Sequence, residues 1–204
     1  MKTLSSDKKL GSVIQNIALL LEQNALRFGD KNIFCEKQNG KYAGTSWKTF
    51  FEDVKNIACN LKHSGFQKGD KMIVYSPNRF EMLELELAIM ASGGISVPIF
   101  AWFNKETAEL LIKHSDVKFL AVAGEFQLKN ISPEIPLKEI FVFDNIDLSS
   151  FQKKTPSKIS SFKELVKNPA GWQENNGGTL NFDAHEDEIC LNMYTSGTMG
   201  IPKC

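Results

Sequence analysis

From Lys71 onward the chain alternates short apolar runs with stretches of helical length, and this alternation constrains the fold more than any other feature. KMIVYS (71–76), ISVPIF (95–100), VKFLAVA (117–123) and EIFVFD (139–144) read as strands rich in Val, Ile and Phe. Between them RFEMLELELAIMAS (79–92) and KETAELLIKHS (105–115) read as helices, the second capped by Asn104. Strands buried on both faces are continuously apolar, and strands joined through helices pair in parallel. The expected fold class is therefore α/β, an open, mostly parallel sheet with crossover helices.

Ahead of this region, Val13, Ile17, Leu20, Leu21 and Phe28 recur near helical spacing, and Gly29 follows as a stop, which predicts a helix over 12–28. Asn39-Gly40 between NIFCEK and KYAGTSW predicts a hairpin with a two-residue turn. Phe50, Val54, Ile57, Ala58 and Leu61 share one face of a second helix that Gly65 ends. Residues 1–45 are thus expected to form a leading helix and hairpin, and residues 46–204 an α/β unit. Between about Asp144 and Asp183 the chain turns polar and reads as a surface excursion with one weak helix, Phe162 to Val166. A last strand, ICLNMY (189–194), runs into TSGTMGIPKC.

Composition narrows the function classes. The 24 basic and 24 acidic side chains cancel, so the broad basic face of a nucleic-acid binder is missing. The four cysteines, Cys35, Cys59, Cys190 and Cys204, form no CxxC pair, which fits neither a zinc ligand set nor a disulfide framework. The apolar stretch near the N-terminus is broken by Gln15 and Asn16 and has no small-residue cleavage site behind it, unlike a signal peptide. No run approaches the ~20 apolar residues of a membrane span. A soluble, cytoplasmic protein is expected.

One segment carries chemistry. Thr195, Ser196, Gly197, Thr198 and Gly200, followed by Lys203, make a hydroxyl- and glycine-rich loop directly after an expected strand. Glycines let backbone N–H groups approach a polyphosphate, hydroxyls add donors, and a lysine adds compact positive charge. Open α/β sheets bind ligands at the carboxyl ends of their strands. A Walker A loop needs Gly before the lysine and Ser or Thr after it, whereas Pro202 and Cys204 flank Lys203. No GxGxxG fingerprint is present either. On residue types alone the segment is a phosphate cradle of another kind or a glycine-rich turn.

Tyr194 to Cys204, YTSGTMGIPKC, resembles the phosphate-loop signature YTSGTTGxPKG of the adenylate-forming enzymes, which include acyl-CoA synthetases, luciferases and peptide-synthetase adenylation domains. Eight of the ten specified positions match. The stretch from SWKTFFEDVKN to SVPIF is similar to the family's opening segment, and EKQNGKYAGTSW with GGISVPIF is closest to its long-chain fatty acyl-CoA branch. The resemblance runs from about Ile33 to Cys204. It implies that a carboxylate and MgATP give an acyl-adenylate and pyrophosphate, with acyl transfer to coenzyme A following. Thr195, Ser196, Gly197, Thr198, Gly200 and Lys203 would then hold the β- and γ-phosphates, a task of positioning and charge neutralisation. ATP, Mg²⁺, coenzyme A and a fatty acid are the implied small molecules, peripheral membrane contact is allowed, and residues 46–204 become the first part of an AMP-binding domain.

Two positions depart from the signature: Met199 stands where Thr is usual, and Cys204 where the last glycine is usual. The family's adenine-contacting segment, Mg²⁺-binding Glu, ribose-binding Asp and mobile-domain lysine lie downstream of this loop. The chain is accordingly read as an N-terminal fragment, inactive in ligation by itself and holding no catalytic residue. The alternative is a non-catalytic binding or interaction module that keeps the α/β part.

Other groups have plainer readings. His185-Glu186-Asp187-Glu188 starts like HExxH, but Ile189 removes the second ligand, leaving an acidic, solvated lead-in. His63 and His114 fall at expected helix ends, where a cation suits the dipole. Glu81, Glu84 and Glu86 are expected to be solvated or paired. Phe100, Trp102 and Phe103 are expected to pack in the core or anchor a loop rather than line a pocket. The 12–28 helix is expected to pack rather than to bind a membrane.

Overall fold

Asn16 starts the first helix. Its Oδ1 accepts a hydrogen bond from the Leu19 N–H at 2.9 Å, which caps α1 (Ile17–Phe28), and Gly29 closes the helix at a positive φ of 47°. The computed structural model describes residues 8, 11, 13–169 and 180–195. The helix thus begins later than its apolar periodicity suggests. Val13 is exposed, and it is Ala18 and Leu21 that are buried.

Strands β1 (Asn32–Gln38) and β2 (Lys41–Ser46) pair antiparallel around Asn39 and Gly40, both at positive φ as a type I′ turn requires. The Ser46 Oγ then caps α2 (Trp47–His63) by accepting from the Thr49 N–H. All five residues assigned to its apolar face are buried.

The expected parallel sheet is present. β3 (Lys71–Tyr75), β4 (Ile95–Ile99), β5 (Phe119–Val122), β6 (Glu139–Val142) and β7 (Lys158–Ser161) lie in the order β4-β3-β5-β6-β7, each neighbour parallel. Helix α3 (Phe80–Ala91) joins β3 to β4, and α4 (Lys105–Ser115), capped by Asn104 as expected, carries the chain back across to β5. Leu85 and Ile89 of α3 bury on one face of the sheet with α1 and α2, while Leu111 and Ile112 of α4 bury on the other. The direction of winding therefore reverses at β3, the point where such sheets open a crevice at their carboxyl ends. Three short helices, α5 (Glu125–Lys129), α6 (Ser149–Gln152) and α7 (Lys163–Val166), complete the two faces.

Two expectations need correction. The polar stretch after Asp144 is not only a surface excursion. It contains β7, in register with β6 from Glu139↔Lys158 to Val142↔Ser161, and it buries Phe162, Leu165 and Leu180. KISS carries one apolar residue because an edge strand with an exposed start needs no continuous apolar run.

ICLNMY, in turn, is not a full strand. It forms one parallel bridge, Ser96↔Leu191, in which the Ser96 N–H donates to the Cys190 carbonyl and the Asn192 N–H to the Ser96 carbonyl, both at 2.9 Å. The next rung would need an N–H from residue 98. Pro98 has none, so the ladder stops.

Candidate functional site

The segment leading into the hydroxyl-rich loop is held from two sides. The bridge to Ser96 lays residues 190–192 along the outer edge of β4. Tyr194 then packs against the face that carries Ile73, Tyr75 and Val97. Its Oη lies 2.7 Å from the Nδ1 of His114 in the last turn of α4, with the two rings edge to face at 5.8 Å. Sequence separation hides this contact, and His114, read as a helix-end cation, is also the anchor of the loop's first residue. Of the six expected phosphate-binding residues, Thr195 is described and is exposed. Ser196, Gly197, Thr198, Gly200 and Lys203 lie outside the described residues.

At the reversal point after β3, Arg79 forms a charged clamp. Its Nε and Nη2 donate to the two carboxylate oxygens of Glu81 at 2.9 and 2.8 Å, and its Nη1 donates to Asp144 Oδ1 at 2.7 Å. The guanidinium also sits 5.4 Å from the Phe143 ring centroid. Hydrogen bonding to Arg79 holds the Glu81 carboxyl below the usual range. The clamp ties the carboxyl end of β6 to the start of α3, so Glu81 is paired, as expected.

The other two acids divide. Glu86 accepts from Ser96 Oγ at 3.2 Å, which links α3 to the strand that carries residue 191. Glu84 is only 4% exposed, neither solvated nor salt-bridged, which corrects the expectation for it. Burial, followed by the nearby charges of Asp53 and Glu81, pushes its pKa up to about 8, and it hydrogen-bonds Asp53 on α2. A neutral Glu84 donating to Asp53 is the arrangement that burial favours.

The rings after β4 depart from expectation in the opposite direction. Phe103 packs against the core, but Phe100 and Trp102 are 60% and 61% exposed. Phe100 meets Phe103 edge to face at 5.5 Å, and Trp102 meets the exposed Phe126 at 5.6 Å, so the rings form a surface cluster beyond the sheet's carboxyl end. His185 heads a tight turn, its carbonyl accepting from the Glu188 N–H at 3.0 Å, and Glu188 pairs with Lys68 at 2.7 Å, in keeping with a solvated lead-in. Among the described residues no three His, Cys, Asp or Glu side chains converge to hold a metal ion, and no helix is long and apolar enough to cross a membrane.

Comparison with known proteins agrees with this layout. An uncharacterised acyl-CoA ligase of Bacillus subtilis (strain 168) is 30% identical over 177 residues, 84% of this chain and 30% of that protein. Fatty acyl-CoA synthetase A of Dictyostelium discoideum is 24% identical over 213 residues, 98% of this chain and 30% of its own length. The chain thus spans about 30% of the length of these relatives. The crystal structure of the adenylation domain of the carboxylate reductase from Mycobacterium chelonae has a similar fold, with a TM-score of 0.72 at 16% identity over 92% of this chain and 33% of that one. Residues 21–204 match the family described as AMP-binding enzyme, and on that match over most of its length the chain belongs to this family, alongside acyl-CoA ligases.

Proposed function

We propose that this chain is the opening part of an AMP-forming ligase that activates a long-chain fatty acid, first to acyl-AMP with release of pyrophosphate and then to acyl-CoA. In this reading residues 1–45 are the leading helix and hairpin, and residues 46–204 the first part of the AMP-binding domain. Thr195, Ser196, Gly197, Thr198, Gly200 and Lys203 cradle the β- and γ-phosphates of ATP, the lysine offsetting charge and the glycines bringing backbone N–H groups close. Mg²⁺ bound with the nucleotide would supply charge neutralisation at the leaving pyrophosphate.

The observation that carries the proposal is the YTSGTMGIPK run itself, entered from a segment bridged to β4 and tethered at Tyr194 by His114. The fatty substrate is supported by the likeness to fatty acyl-CoA synthetase A. Arg79, Glu81 and Asp144 have a structural part in this scheme, fixing the carboxyl end of the sheet, and take no proton.

Product analysis tests the proposal. The protein as its own cells make it, given palmitate, ATP and coenzyme A, is expected to yield AMP, pyrophosphate and palmitoyl-CoA in equal amounts. Release of ADP and inorganic phosphate, or turnover without a carboxylate, would overturn the reading.

A further inference from the structure

The two edges of the parallel sheet are closed by different means. On the β4 side, the bridge to residues 190–192 occupies both backbone groups of Ser96, and Pro98 withholds the next N–H. β7 is the outer strand on the other side. An open edge presents unpaired N–H and C=O groups to any extended chain, a second copy of the same protein included.

Along β7 the backbone groups alternate. The N–H groups of Lys158 and Phe162 donate inward to the carbonyls of Lys138 and Val142, at 3.2 and 2.8 Å. Those of Ser157, Ile159 and Ser161 therefore point outward, away from β6. Side chains of the turn before the strand take the first of these outward groups. The Ser157 N–H donates to Thr155 Oγ1 at 3.2 Å, the Ser157 carbonyl accepts from Gln152 Nε2 at 3.0 Å, and the Ile159 N–H donates to Gln152 Oε1 at 2.7 Å.

The two bonds of Gln152 have the pattern of a strand. A parallel neighbour beside Lys158 would donate to the carbonyl of residue 157 and accept from the N–H of residue 159. One side-chain amide does both. It is delivered by α6, none of whose four residues is fully buried. Asp147 holds the start of that helix by accepting from the Ser149 N–H and Oγ at 2.9 Å each, and Phe151 packs against the sheet. Lys158, the charged side chain at the start of the edge, is drawn to Glu139 at 2.7 Å. Gln152 is thus the group that covers the outward backbone of β7.

We propose that Gln152 is a seal on the β7 edge: its amide stands in for a neighbouring strand and keeps a second copy of this chain from pairing along residues 157–161. Without the seal, two β7 strands pair antiparallel across a two-fold axis, the arrangement in which one surface meets its own copy. The inference uses no residue of the loop at 195–203 and does not rest on the ligase reading.

The test is sedimentation velocity of the whole chain over a range of concentrations, with amide exchange on dilute samples. Gln152→Ala should move the monomer–dimer equilibrium toward the dimer by roughly tenfold relative to the wild type, the size expected when two competing hydrogen bonds are lost. In dilute samples the Ile159 amide should exchange about tenfold faster, while that of Leu120 in the central strand β5 is unchanged. Gln152→Asn, a methylene shorter and unable to reach both groups, should behave like Gln152→Ala, and this conservative change keeps the test intact should the alanine variant fold poorly. Adding Ile159→Pro to either removes an outward N–H without breaking a bond to β6, and should restore the wild-type profile. A wild-type profile in both Gln152 variants would overturn the seal, as would association that survives Ile159→Pro.

Discussion

His114 Nδ1 and Tyr194 Oη meet at 2.7 Å across 80 residues of sequence, joining the last turn of α4 to the first residue of the phosphate-loop signature. Pro98 stops the β4 ladder after one bridge, so side-chain contact takes over where the backbone can no longer hold this segment.

Removing the phenol should therefore loosen the entrance of the loop. Tyr194→Phe keeps the ring's packing and loses the hydrogen bond, at a cost of about 0.5–1.5 kcal/mol. Hydrogen exchange at the Asn192–Thr195 amides should accelerate. His114→Ala loses the ring contact as well as the hydrogen bond, so it should cost more, and the double variant should cost little more than His114→Ala alone, because the hydrogen bond is already gone in that variant. Fully additive losses in a denaturant titration would show that the pair is not coupled.

Burial of Glu84 makes stability depend on pH. Its pKa in the folded chain is about 8 against an ordinary 4.5, so across that window the folded state keeps a proton that the unfolded state has released. Stability should fall as pH rises from about 4.5 to about 8 and then level off, losing at most ~1.4 kcal/mol for each pH unit crossed. Asp53, raised by burial, adds in the same direction. Glu84→Gln should flatten the profile and be more stable than the wild type at alkaline pH. Urea melts across this range read the effect, and parallel profiles for the two proteins would contradict it.

Much of this architecture is written in local pattern. The Asn39-Gly40 turn, the buried face of α2 and the apolar runs of β3 to β6 each depend on neighbours within one element, so periodicity and turn chemistry reveal them. β7 escapes because KISS lies on an edge and needs no apolar run. Glu84 escapes because a polar residue on a largely apolar helix reads as surface until α2 is packed against it. Sequence singled out the loop residues as candidates by type and spacing, but it held no sign of the His114 contact, which only the crossover of α4 creates.

Asn16 has two tasks that one substitution can separate. Its Oδ1 caps α1, while its Nδ2 donates to the carbonyls of Phe182 and Ala184 at 2.9 and 3.0 Å. Asn16→Ala should cost about 1–3 kcal/mol, the sum of a lost cap and the lost donor to the Phe182 carbonyl, since the Ala184 carbonyl still accepts from Gln15 Nε2 at 3.2 Å. Asn16→Asp keeps the cap and loses only the donor, so its loss should be smaller in thermal or chemical unfolding. Equal losses would place the whole effect in the tie to residues 182–184.

The phosphate-cradle role proposed for Lys203 is tested most directly by carboxylate-dependent exchange of pyrophosphate into ATP, which reads adenylation without the later transfer to coenzyme A. The native protein and its Lys203→Ala variant are compared with palmitate present. In the proposed role the lysine would make a charge-assisted contact of about 1.5–3 kcal/mol, so the variant should exchange roughly ten- to a hundredfold more slowly. An unchanged rate would contradict the assignment of this loop to the phosphates of ATP.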